Sequence, residues 1–145
     1  MNLDEQTIKK WNELEFYYEN DKDLKQWRFL GSKSGLLNLP TLIKAFGDNP
    51  LNKEISEHTH IGPYNYLKIM TWHEPIITGS YLGGTLNDLM KLSDIIIDKL
   101  NPAKVGQIIK ITDGYSPKST FALLFIIMAD DFIPSSIEFD LDPPS

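Results

Sequence analysis

The chain contains no cysteine, which removes disulfides, thiolate metal sites and cysteine nucleophiles together and suits a reducing compartment. It also lacks a long apolar run. The longest, Phe121 to Ala129, is less than half of the roughly 20 residues a membrane helix needs, so no membrane partner is expected. Basic charge is in short supply: 14 Lys and Arg stand against 20 Asp and Glu, for a net charge of -6. The basic residues are scattered, whereas phosphate neutralisation needs them clustered, so a nucleic-acid partner is disfavoured and a basic partner is favoured. The opening Met1-Asn2-Leu3-Asp4-Glu5 lacks the basic-then-apolar layout of a signal peptide, and a cytoplasmic location is expected.

What is present is the composition of an ordinary globular chain, 41% hydrophobic and 23% charged over 145 residues. One core and one domain over residues 1–145 are expected, with an acidic, proline-containing tail from about residue 134. Asp4 is placed to cap a short helix carrying Ile8 and Trp11. Residues 14–30 read as a hairpin turning at Asn20-Asp21-Lys22-Asp23. Ser32 or Ser34 then caps a helix with Leu36, Leu39, Leu42, Ile43 and Phe46 at helical spacing. Pro40 leaves two options: the helix starts near Asn38 with the proline in its first turn, or it is kinked there. Gly47-Asp48-Asn49-Pro50 ends it.

Residues 51–64 read as a loop, Tyr66 to Trp72 as a strand, and Ile76 to Leu82 as its antiparallel return. Thr85 is a good N-cap with Asp88 in the capping-box position, opening a helix whose stripe includes Leu89, Leu92, Ile96 and Leu100. Strands follow at 107–112 and 121–129. The fold expected is α+β, a mostly antiparallel sheet with two main helices packed on it, in the approximate order ββαββαββ. Two ββα units in tandem would fit this order.

Chemistry-bearing motifs are sparse. Glu57, His58 and His60, with His73-Glu74 further on, have metal-ligand residue types, but no third ligand sits at a characteristic spacing. Hydrogen bonding within a loop is the plainer role, and no metal is expected. Gly79 to Thr85 leads into a helix but lacks the Gly-Lys-Ser/Thr ending of a phosphate loop. There is no Gly-x-Ser-x-Gly elbow, and the acid pairs near the end of the chain read as solvated surface, so no catalytic residue is assigned. The strand from Tyr66 places Leu67, Ile69 and Thr71 on one face and Tyr66, Lys68, Met70 and Trp72 on the other. Either helices cover both faces of the sheet, or part of one face meets a partner, where Tyr, Trp and Met are enriched.

The pattern Gly31-x-x-x-Gly35-Leu36, then Glu57-His58-x-His60-x-Gly62-Pro63-Tyr64-x-Tyr66 through Trp72, then Gly84-x-Leu86-x-Asp88-Leu89-x-x-Leu92, resembles small bacterial immunity proteins encoded beside polymorphic or contact-dependent toxins. The resemblance spans about residues 27–133, including Asp131-Phe132-x-Pro134. It implies an acidic, cytosolic, non-catalytic α/β domain that binds and blocks one cognate toxin without a cofactor. On that reading Asp130, Asp131, Glu138 and Asp140 steer a basic toxin domain, and Tyr66 and Trp72 anchor it. The rival readings are a small metal-dependent hydrolase using Glu57, His58 and His60, and a regulatory homodimer built on the second sheet face.

Overall fold

The computed structural model describes residues 4–64, 66–111, 114–116 and 119–137. Helix α1 (Glu5–Leu14) is capped by Asp4, whose carboxylate accepts the Thr7 backbone N–H at 2.8 Å, and its buried residue is Trp11. The chain then forms strand β1 (Phe16–Asp21), turns at Asp21, whose Oδ1 accepts the Leu24 N–H at 3.1 Å, and returns as β2 (Gln26–Gly31). Ser32 caps a single turn, α2 (Lys33–Leu36), and α3 (Asn38–Gly47) starts afresh at Asn38. Of the two options for Pro40, the structure takes the first. The proline lies in the opening turn of α3, where its missing N–H has no intrahelical acceptor to lose. Gly35 lets α2 sit against the end of α1, since a Cβ there would lie 2.1 Å from the Glu15 carbonyl oxygen.

After a short 3-10 turn at Pro50–Asn52 come β3 (His58–Ile61), β4 (Leu67–Thr71), β5 (Ile76–Ile77) and β6 (Tyr81–Gly84). Helix α4 (Leu86–Leu100) carries the full expected capping box, with Thr85 Oγ1 accepting the Asp88 N–H at 3.1 Å and Asp88 accepting the Thr85 N–H at 3.0 Å. Strands β7 (Ile108–Ile111) and β8 (Ala122–Ile127) follow. No helix among the described residues is long and apolar enough to cross a membrane.

The class is α+β and the pairing is mostly antiparallel, but the strands divide between two four-stranded sheets, ordered β1-β2-β8-β7 and β3-β4-β6-β5. Each sheet is two antiparallel hairpins whose second strands lie side by side and parallel, β2 with β8 and β4 with β6. Two expectations are corrected. Residues 58–61 are a strand, not loop, because His58, Thr59 and His60 pair with Met70, Ile69 and Lys68 although their side chains are exposed. Ile76 to Leu82 is not one antiparallel return to β4: it breaks into β5 and β6, and β6 runs parallel to β4.

A single cluster of buried side chains joins both sheets and the helices. In the first sheet Tyr18, Phe29 and Phe125 are neighbours in register on the inward face, and Phe29 stacks on Phe125 at 5.0 Å. In the second, Ile61, Leu67, Ile69, Ile77 and Leu82 are buried. Helix α4 packs on α3, where buried Ser93 donates to the Pro40 carbonyl at 2.8 Å. The outward face of β8, with Ala122, Leu124 and Ile126, is half-buried, so this central strand is fully covered on one side only.

Candidate protein-binding cleft

Three side chains on the inward face of the β1–β2 hairpin reach across to the second sheet's connecting loops. Tyr18 donates its hydroxyl to the Ile61 carbonyl at 2.5 Å, Trp27 its indole N–H to Thr78 at 2.7 Å, and Asn20 its amide N–H to Gly79 at 2.9 Å. These bonds fix how the hairpin meets the second sheet and its loops. Burial pushes the Tyr18 hydroxyl well above the ordinary tyrosine range, reinforced by Tyr66, Tyr17 and Tyr64 nearby, so it stays protonated and a donor.

Beside these bonds lies a cleft of about 730 Å³. Six of its lining residues are aromatic, Trp11, Tyr17, Tyr18, Trp27, Tyr64 and Tyr66, the first four of them buried core residues. Trp11 is the hub, with ring centroids 4.7 Å from Tyr17, 5.1 Å from Tyr18 and 6.1 Å from Tyr64, and Tyr64 in turn meets Tyr66 at 5.1 Å. Polar groups punctuate the lining. Glu19 pairs with Arg28 on the neighbouring strand at 3.1 Å, and Lys22 and Ser80 are exposed. Asn20 Oδ1 is buried in the cleft wall and has no hydrogen-bond partner among the described residues. Tyr64 and Tyr66 are the aromatic members with surface left for a ligand to meet.

Among the described residues, those expected to meet a partner are not brought together. Tyr66 is 65% exposed and stands at the rim of the cleft. Trp72 is at the far end of β4, half-buried against His73 and Tyr81 with ring centroids at 4.8 and 6.3 Å, beside a separate recess. Asp130 and Asp131 are exposed on the turn after β8, and Asp130 shares a shallow recess with Asn12 and Glu15. Glu138 and Asp140 lie outside the described residues. The sequence reading missed Trp11, Tyr17, Tyr18 and Trp27 as cleft residues; the density of Trp and Tyr over residues 11–27 was the available signal.

His58 and His60 share the exposed face of β3, with rings 5.2 Å apart and edge-to-face. His58 Nδ1 is 2.9 Å from the Ser56 carbonyl, and His60 is paired in register with Lys68, whose positive charge opposes a cation there. Among the described residues no three His, Cys, Asp or Glu converge as a metal site. The glycines at 83 and 84 form the end of β6 rather than an anion loop. A Cβ on Gly84 would lie 2.3 Å from the Tyr115 hydroxyl, which reaches past it to donate to the Gly83 carbonyl at 2.6 Å.

The fold is of the α+β class, with a cleft where β1 meets the loops of the second sheet. In comparisons with known proteins, no family model, no curated protein and no solved structure matches it.

Proposed function

We propose that this chain is an immunity-type inhibitor, a cytoplasmic bacterial protein that binds one cognate protein toxin and occludes its active site or substrate path, with no cofactor. The observation that carries the reading is the aromatic cleft, because Tyr and Trp in a concave site are the residue types that dominate protein-binding energy. The net charge of -6 supports a basic partner. Asp130 and Asp131, with Glu138 and Asp140, are the acids assigned to steering, Tyr66 is an anchor at the cleft, and Trp72 is a second contact outside it.

Co-expression tests this directly. A toxin domain encoded beside this gene should arrest growth alone and be neutralised by this chain. Reversing the charge of Asp130 and Asp131 together should slow association more at low salt than at high salt, because steering by exposed charge is screened. Equal killing with and without the chain overturns the reading.

A further inference from the structure

Of the four strands at sheet edges, three are closed, short or polar. Buried Trp11 packs its ring against Tyr17 and Tyr18 of β1, β5 has two residues, and β3 presents exposed His58, Thr59 and His60. β7 differs. It ends the order β1-β2-β8-β7, pairs with β8 alone, and carries exposed Ile108 next to half-buried Ile109.

An antiparallel ladder alternates residues whose main-chain groups point to the neighbouring strand with residues whose groups point away. A bulge before β7 fixes the phase of that alternation. Gly106, at a φ of 90°, donates its N–H to the Ile127 carbonyl at 2.8 Å, and the Ile127 N–H donates to the Gln107 carbonyl at 3.0 Å. The main chain of Gln107 therefore faces β8, and so does that of Ile109 and Ile111, paired with Phe125 and Leu123. The N–H and C=O groups of Ile108 and Lys110 point out of the sheet, and among the described residues no group outside β8 hydrogen-bonds to them. The side chains at this edge are apolar on both faces. Ile108, 62% exposed, ends an outward row with Ile126 and Leu30, and Ile109 ends the inward row with Phe125 and Phe29. Lys110 is the single charge on the strand. An edge of this kind is a ready template for another strand.

We propose that β7 pairs with β7 of a second copy of this chain, antiparallel about a two-fold axis at Ile109, so that two four-stranded sheets join edge to edge. One register makes the edge self-complementary. With Ile108 opposite the partner's Lys110, and Lys110 opposite the partner's Ile108, each pair exchanges both of its N–H···O bonds through the groups that point outward. Ile109 meets the partner's Ile109 across the axis as a non-hydrogen-bonded pair, the closer kind, and prolongs the inward apolar row. The Lys110 stem lies along the partner's Ile108 and keeps its ammonium in water. A shift by two residues sets lysine against lysine in one direction and Lys110 against the Gly106 bulge in the other. Reciprocal matching of this kind is what a two-fold interface requires, and a foreign strand would need none of it. The dimer stands independently of toxin binding, because β7 lies at the opposite edge of its sheet from β1.

The chain has no cysteine, so one introduced thiol reports only on contacts between copies. Full-length Ile108→Cys, Ile109→Cys and Lys110→Cys are oxidised separately with glutathione disulfide, and the linked dimer is followed on non-reducing gels. Ile109→Cys should link at least about tenfold faster than either neighbour, because residue 109 alone faces its own copy, at a Cα separation of about 4.5 Å that a disulfide can span. Should Ile109→Cys fail to fold, two variants at exposed Ile108 decide. Ile108→Lys sets like charges opposite each other and should raise the dimer dissociation constant in sedimentation by at least about tenfold, whereas Ile108→Glu, which meets the partner's Lys110, should raise it less. Amide exchange in the unmodified chain reads the backbone directly: Ile108 and Lys110 should be protected where the dimer forms and lose protection on dilution, while Ile109 and Ile111 stay protected throughout. A chain that stays monomeric up to about 1 mM overturns the dimer. So do faster linking at 108 or 110, equal effects of Lys and Glu at 108, or a dimer in which the Ile108 and Lys110 amides exchange freely. Protection of those two amides in the monomer would give the edge to the chain's own terminal residues, and protection only on adding a toxin domain would give it to that partner; either result overturns the pairing of two copies.

Discussion

The two sheets are built on one plan and put to different uses. In each, two hairpins meet through a parallel pair of second strands. In the first sheet β1, β2 and β8 are six residues long, and Phe16, Trp27, Phe29 and Phe125 are fully buried. In the second the strands run from two to five residues, and the outward face carries exposed His58 and His60 with half-buried Lys68 and Tyr81. The same connectivity therefore yields a scaffold whose β1–β2 hairpin is filled with aromatic rings, and a second sheet whose outward face mixes exposed histidines with Lys68, Tyr81 and buried Met70. The cleft opens where the scaffold's edge strand meets the second sheet's loops, so its shape depends on both.

The sharpest test of this contrast is truncation inside the scaffold. Phe29→Ala should cost about 3–5 kcal/mol in a denaturant titration, and Leu89→Ala or Ile96→Ala on α4 about 2–5 kcal/mol, since all three side chains are fully buried. An unchanged midpoint in the α4 variants would mean that this helix does not pack as described. A smaller effect is expected from alkali, acting on the two tyrosines that bridge to the second sheet. Burial raises both Tyr18 and Tyr115 above the ordinary value, with neighbouring tyrosines adding for the first and Asp88 for the second. The unfolded chain then loses protons first, at roughly pH 10, so stability is fully present below that pH and falls as the pH rises above it. Tyr18→Phe and Tyr115→Phe should each flatten that alkaline loss while costing about 1 kcal/mol at neutral pH. A steep loss above pH 10 in the double variant would assign it to other groups. The smallest effect belongs to the outward face of the second sheet: His58→Ala combined with His60→Ala should change stability by no more than about 0.5 kcal/mol. A large loss there, or one reversed by added zinc, would make the second sheet a structural site rather than a surface.

Local signals in the sequence were read well where one segment decides its own conformation. The Asp4 cap, the β1–β2 turn at Asp21 and the Thr85–Asp88 capping box each rest on a few adjacent residues. Strands whose existence depends on a distant neighbour were not legible. β3 has one buried residue, Ile61, and no alternation to announce it, and β6 ends in Gly83-Gly84, which reads locally as a turn. The division into two sheets, and the parallel pairing of β2 with β8, involve partners far apart in the chain that no periodicity records. The cleft escaped for the same reason. Tyr66 was singled out on its strand pattern, but its meeting with Trp11, Tyr17 and Tyr18 exists only once β1 lies beside the β3–β4 connection.

The nesting of the second sheet between the two hairpins of the first also sets a timetable. Gln26 must wait for Ala122 before its strand has an inner neighbour. A ribosome adding ~5–20 residues per second needs on the order of 5–20 s to cover that interval of roughly 100 residues. During those seconds the nascent first hairpin carries its aromatic rings without the strand that will cover them, and an aggregation-prone edge is on show. A cell making this protein gains nothing from partial chains: any message or ribosome stalled short of β8 delivers a product in which β2, behind the cleft's edge strand, has no inner neighbour.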